Sequence, residues 1–214
     1  MSTETKIISG VGIVFFALFA LLIYKTNSGS NPVTDSNLLI GQGSYMTGTK
    51  EAKVNVVEFG DYQCPACAYA SPIAQQLVMA YKDNPNVNFV FRNFPLPQHS
   101  NAMISAEAAE AARVQGKFLE MSEMLYGRQN EWSGNPKAIE VFIGYAQKLG
   151  LDVKAFTDSV NQKKFQDLII KDRSDGQALG VNSTPSFFIN GEKIVGIPSF
   201  DEFKKKIDDK LQTP

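Results

Sequence analysis

The chain has 214 residues, 43% hydrophobic and 20% charged, with a formal net charge of −1. A charge this close to zero excludes a nucleic-acid binder held by phosphate contacts, which needs a basic excess. Two cysteines exclude a disulfide-dense scaffold, and 16 glycines with ten prolines exclude collagen-like or low-complexity sequence.

Ile7 to Tyr24 (IISGVGIVFFALFALLIY) is an apolar run of 18 residues without a charge, bracketed by Lys6 and Lys25. As a helix it reaches about 27 Å, close to the ~30 Å hydrocarbon core of a bilayer. A core helix of a small domain would show a polar face. A cleavable signal peptide has a shorter apolar region and a small-x-small site, and Tyr24-Lys25-Thr26-Asn27 offers none. Residues 1–25 therefore read as a transmembrane anchor, with the lipid bilayer as the partner of residues 7–24. One lysine on each side barely votes on orientation.

Residues 26–50 are rich in Ser, Thr, Asn and Gly and read as a flexible tether, with a short strand at Leu38–Ile40. Within it Gly43–Lys50 (GSYMTGTK) fails as a phosphate loop, because Thr49 precedes Lys50 instead of following it.

Residues 51–214 read as a globular domain. Val54–Phe59 is a β-branched run, expected as a buried strand. A helix is expected from Pro65 to about Tyr81, and alternation of Val87, Phe89 and Phe91 marks a second strand. A helical block follows, about 99–180: Ser100–Gln115 stopped by Gly116, a helix carrying Phe118, Met121 and Leu125, one opened by Asn135-Pro136, one opened by Asp152, and Lys163–Leu179 stopped by Gly180. Strand signals return at Ser186–Ile189. Asn190-Gly191 predicts a hairpin to Glu192–Val195, and Ser199-Phe200-Asp201-Glu202 predicts a capping box for a last helix. The order is β-α-β, a helical block, then β-β-α.

Cys64-Pro65-Ala66-Cys67 directly follows the first strand and opens the first helix. Unpaired N–H groups and the helix dipole favour negative charge there, so a Cys64 thiolate is stabilised and suited to attack. Cys67 lies one turn further in, placed to resolve a mixed disulfide. A structural staple across so small a loop would contribute only about 2 kcal/mol. With one histidine in the chain, no tetrahedral Cys/His metal set can be completed, so no metal is expected. Glu58, on a strand among Val and Phe, is either a partly buried acid with a raised pKa that could relay the Cys67 proton, or a strand-end acid reaching water. Pro72 interrupts the first helix. Thr184-Pro185 precedes a strand, where either a cis bond facing the cysteines or an ordinary trans edge proline fits. His99 reads as a structural residue at a helix entry, Trp132 as packing, and Arg92 as either ion-paired or solvated.

The set Glu58-Phe59-Gly60-Asp61-Tyr62-Gln63-Cys64-Pro65-Ala66-Cys67, Phe91-Arg92-Asn93-Phe94-Pro95-Leu96, Gln115-Gly116-Lys117-Phe118 and Val181-Asn182-Ser183-Thr184-Pro185-Ser186-Phe187-Phe188-Ile189-Asn190-Gly191 resembles the DsbA-type thiol:disulfide oxidoreductases of the thioredoxin superfamily. The resemblance runs from about Val54 to the C-terminus. It implies an α/β thioredoxin fold with an inserted helical domain, here preceded by an N-terminal transmembrane helix. It also implies Cys64 as nucleophile, Cys67 as resolving thiol, Glu58 as buried acid, Pro72 as the helix-kink proline and Pro185 as the cis-proline, with Pro65, Ala66 and Thr184 supporting. No cofactor is implied beyond the redox-active Cys64–Cys67 disulfide. One departure stands out: the type member has histidine where Ala66 stands, so a cation beside the thiolate is missing and a less oxidising disulfide is expected.

The expected activity is donation of disulfides to unfolded or partly folded cysteine-containing secreted proteins. A membrane quinone-linked partner is expected to reoxidise the pair, and no nucleic acid is involved. Such chemistry places the domain outside a bacterial cytoplasmic membrane, on a single N-terminal anchor. The rival readings are a disulfide reductase or isomerase, and a non-catalytic thioredoxin-fold binding or chaperone module.

Overall fold

The computed structural model describes residues 35–213, and within them five strands, β1 (Tyr45–Met46), β2 (Val54–Gly60), β3 (Val87–Asn93), β4 (Ser186–Ile189) and β5 (Glu192–Ile194), form one sheet in the order β1-β3-β2-β4-β5. Strand β2 is central. It runs parallel to β3 and antiparallel to β4, which turns back into β5. The β4–β5 turn has positive φ at both Asn190 (47°) and Gly191 (82°), the geometry of a two-residue hairpin and the reason Asn-Gly stands there.

Period-two alternation divides β2 between the faces of the sheet. Val54 and Val56 pack with Leu77, Phe187, Phe203 and Ile207, beneath α2 (Pro65–Ala80) and α9 (Phe200–Gln212). Val57 and Phe59 face the other way, with Val90, Phe94, Val181 and Phe188. The last helix starts on the capping box expected from sequence: the Ser199 side chain accepts from the Glu202 amide, and Glu202 accepts from Ser199.

Between β3 and β4 lies a helical block: α3 (Ala102–Arg113), α4 (Phe118–Gly127), α5 (Gln129–Trp132), α6 (Ala138–Lys148), α7 (Val153–Asn161) and α8 (Gln166–Ala178). An alanine-rich α3 lets neighbouring helices approach closely, and Ala108, Ala109, Ala111 and Ala112 are each 0% exposed. Trp132 fills the centre of this block, packed edge-on against Phe142 with its indole N–H donated to the Leu125 carbonyl. The core of the block includes Tyr62, Cys64 and Cys67, so the Cys64–Cys67 turn sits where the insertion meets the β-α-β half.

Two expectations are corrected. Leu38–Ile40 is not a strand but part of a helix, α1 (Ser36–Ile40), and the segment after it is not free tether, since β1 (Tyr45–Met46) pairs antiparallel with β3. Leu39 and Ile40, each 4% exposed, pack on the face formed by Val57, Phe59 and Val90. The fully buried Arg92 guanidinium clamps this segment: Nη1 donates to the Leu38 and Leu39 carbonyls at 2.7 and 3.0 Å, Nε to Asp172 at 2.6 Å and Nη2 to Asp175 at 2.7 Å. Gly41, at φ +73°, passes so close to that guanidinium that a Cβ would lie 2.5 Å from its central carbon. The second correction concerns α6, which begins at Ala138 with no side-chain cap, because Asn135 accepts instead from the Lys137 amide in a turn before the helix.

The apolar run Ile7–Tyr24 lies outside the described residues. Among those described, no helix is long and apolar enough to cross a membrane.

Candidate active site

Cys64 is the N-cap of α2, with extended φ/ψ (−74°, 123°), and Pro65 supplies the first helical position, where its missing N–H costs nothing. The helix therefore aims its free amides at the Cys64 sulfur. Both cysteines are free thiols, Cys64 7% exposed and Cys67 0%. Pro65 and Ala66, between them, are exposed.

The electrostatics separate the two sulfurs. The Cys64 thiol is lowered to about 5, chiefly by its hydrogen bond with Cys67. Thr184 and the N–H groups of Cys67 and Ala66 assist, and burial opposes. Burial pushes Cys67 far the other way, helped by its bond to Cys64 and by the Glu58 carboxylate. One sulfur is thus a ready thiolate and leaving group, and the other holds its proton.

The Thr184–Pro185 bond is cis. The Thr184 carbonyl accepts from Cys64 Sγ at 3.4 Å across 120 positions of sequence. The buried Thr184 hydroxyl has no other hydrogen-bond partner and is free to donate to the thiolate once Cys64 ionises.

Glu58 lies on the α2 face of β2, flanked across the sheet by Phe91 and Phe187. The residue is half-buried, but its Oε1 is shut from solvent without a partner. Burial raises the carboxyl from 4.5 to about 8. A cavity of about 260 Å³, lined mainly by apolar side chains such as Val56, Phe91 and Phe118, reaches Glu58 and the Tyr126 side chain. The Tyr126 hydroxyl is likewise buried without a partner. Pro72 lies inside α2, eight residues past Cys64.

Ahead of the cysteines, Asp61 is a buried staple. It accepts from the Gln63 amide at 2.8 Å, the Leu96 amide at 2.9 Å and His99 Nδ1 at 2.7 Å. His99 thus fixes the loop before the Cys64–Cys67 turn. Sequence reasoning missed two residues here, Asp61 and Gln129. Gln129 donates its side-chain amide to the Tyr62 and Cys64 carbonyls. The Asp61-Tyr62-Gln63 run could have flagged the first, but no local signal points to the second. Among the described residues no cluster of three or more His, Cys, Asp or Glu side chains could hold a metal ion.

A family model described as thioredoxin matches residues 41–209. The chain belongs to the thioredoxin family. That match begins before Val54, in keeping with the folded segment around β1. A thioredoxin-like oxidoreductase from Silicibacter pomeroyi DSS-3 superposes with a TM-score of 0.69 at 27% identity, covering 85% of this chain and 100% of that one. Oxidised BdbD from Bacillus subtilis (TM-score 0.70, 22% identity, 86% and 98% covered) and α-DsbA1 from Wolbachia pipientis (0.71, 22%, 82% and 95%) share the fold. The chain thus shares with them a thioredoxin fold that has helices inserted between its two halves.

Curated relatives are much longer. The Na(+)/H(+) antiporter NhaA 1 of Salinispora arenicola is 37% identical over 150 residues, 70% of this chain but 22% of that protein. The NhaA of Herminiimonas arsenicoxydans is 28% identical over 193 residues, 87% of this chain and 30% of its own length. The chain therefore spans about a fifth to a third of these relatives.

Proposed function

We propose that this thioredoxin exchanges disulfides with cysteine-containing proteins outside the cytoplasm and, in net direction, introduces disulfide bonds. The observation that carries the reading is the split between a buried Cys64 lowered to about 5 and a Cys67 held protonated one helical turn away. In the oxidised protein a substrate thiolate attacks Cys64 Sγ. The Cys64–Cys67 bond breaks, a substrate–Cys64 disulfide forms, and Cys67 leaves with the electron pair. Cys67 takes a proton from Glu58, which is still largely an acid near neutral pH. A second substrate thiolate then attacks the substrate sulfur of the mixed disulfide and expels Cys64 as thiolate. The substrate leaves oxidised by two electrons and the Cys64/Cys67 pair remains reduced. A low-pKa leaving group accelerates that last step.

Thr184 and Pro185 flank the reacting sulfur and offer backbone to the incoming peptide, while the exposed Pro65 and Ala66 leave the approach open. The apolar run Ile7–Tyr24 supports attachment to a bilayer, with the domain on the oxidising side and a quinone-linked membrane protein as reoxidant. The deciding experiment is the equilibrium of the Cys64–Cys67 pair with glutathione. A potential well above thioredoxin's, about −270 mV, supports net oxidation, and one near it assigns the domain to reduction. A Cys64→Ala variant that keeps full biological effect would assign it to binding without turnover.

A further inference from the structure

The redox turn and the helical insertion are fastened to each other by two glutamines that reach in opposite directions. From the insertion, Gln129 Nε2 donates to the Tyr62 carbonyl at 2.6 Å and the Cys64 carbonyl at 3.0 Å. Two carbonyl oxygens facing one atom fix it as the nitrogen of the amide, with both hydrogens used. From the redox turn, Gln63 Nε2 donates to the Ser133 carbonyl at 2.8 Å, and its Oε1 accepts from the Asn101 amide at 2.6 Å. Asn101 in turn donates to the Trp132, Ser133 and Asn135 carbonyls, holding the stretch that carries Gln129.

The Cys64 carbonyl already accepts the Ala68 amide, the first bond of α2. Gln129 occupies its second acceptor site and, two residues back, pins the strand-to-helix turn. The four-residue helix α5 is otherwise a minor element, but its first residue is the one that touches the nucleophile's backbone.

We propose that Gln129 is a positioning residue for thiol exchange: its amide holds the turn that keeps the Cys64 sulfur on the helix N-terminus and against Thr184, which makes the helical insertion a working part of the redox centre. This rests on Cys64 being the nucleophile.

The test compares Gln129→Met, which keeps length and loses both donors, with Gln129→Lys, which restores N–H donors at similar reach. The pH profile of Cys64 alkylation by iodoacetamide is measured in the reduced protein, where the buried Cys67 keeps its proton, with urea stability in parallel. In Gln129→Met the midpoint moves upward by about half to one pH unit, so that alkylation at pH values below the midpoint slows about three- to ten-fold, the effect of losing about one neutral hydrogen bond converted to pKa. The glutathione equilibrium of the pair shifts by a similar factor toward a weaker oxidant. Gln129→Lys returns both toward wild type. An unmoved alkylation midpoint in a folded Gln129→Met protein overturns the proposal, even if stability falls, because a merely structural contact predicts that pattern. Should Gln129→Met not fold, Gln129→Asn, one methylene too short for the pair of carbonyls, is read by the same criterion. A wild-type Cys64 that titrates like a free thiol would instead refute the functional reading itself, so the two failures are distinct.

Discussion

Replacing Glu58 by glutamine tests the acid behind the cysteines through stability, independently of any substrate. Its carboxyl sits at about 8 rather than 4.5 because burial disfavours the charged form. A raised acid stabilises the fold while neutral. That contribution is complete below pH 4.5 and drains away as pH rises to about 8, at up to about 1.4 kcal/mol per pH unit and at most about 4–5 kcal/mol in total. Cys64 has the opposite sign in the reduced protein. Lowered from 9.0 to about 5, it stabilises the fold fully above pH 9, and that contribution is lost as pH falls to 5. Between pH 5 and 8 the two slopes oppose each other, and reduced wild-type protein is nearly indifferent to pH. Oxidation removes the Cys64 titration and leaves Glu58 alone. Urea unfolding across pH 5–8 therefore shows oxidised wild type weakening with pH relative to oxidised Glu58→Gln, and reduced Glu58→Gln strengthening relative to reduced wild type. A constant offset between wild type and variant over that range would refute the reasoning.

Thr184→Val removes a buried hydroxyl free to donate to the Cys64 thiolate. A hydrogen bond to a charged group contributes about 1.5–3 kcal/mol, so the Cys64 midpoint rises by about one to two pH units, read from thiolate absorbance against pH. Arg92→Met leaves the buried Asp172 carboxylate and two carbonyls without their cation, while Asp175 keeps only Lys171. Urea unfolding shows a loss of about 3–5 kcal/mol, and adding Asp172→Asn recovers part of it. Ala66→His places an exposed cation beside the thiolate, stabilises the reduced form by about 1 kcal/mol and raises the potential against glutathione by about 20 mV.

What the sequence made legible was whatever its signals specify locally. The Asn190-Gly191 turn, the Ser199–Glu202 capping box and the Cys64-Pro65 helix start each fix a few residues of backbone by themselves, and the thioredoxin halves follow from them. Residues 36–46 were misread because their composition is that of a linker, while two apolar side chains and a guanidinium 53 and 54 positions away hold them. Arg92 could not be assigned from sequence for the same reason, since its carboxylates lie 80 and 83 positions on, in α8. Of the site, the cysteine pair was legible from its place at a helix start, whereas Glu58 and Thr184-Pro185 each left two readings open until the family resemblance chose between them. Gln129 was not, because a glutamine opening a short helix looks like surface until the fold brings it 65 positions back to Cys64.

The Arg92 clamp also bears on the order in which the domain closes. Ser44 donates to Asp172, which lies 128 residues further along the chain. At a synthesis rate of about 5–20 residues per second, that separation is roughly 6–26 s. Until α8 arrives, Arg92 lacks its carboxylates, and the segment carrying β1 lacks the clamp that holds it on the edge of β3. An uncovered edge strand invites pairing with another chain. The first part of this domain to be made is thus among the last to be secured, and it guards the sheet margin most exposed to misassembly during that wait.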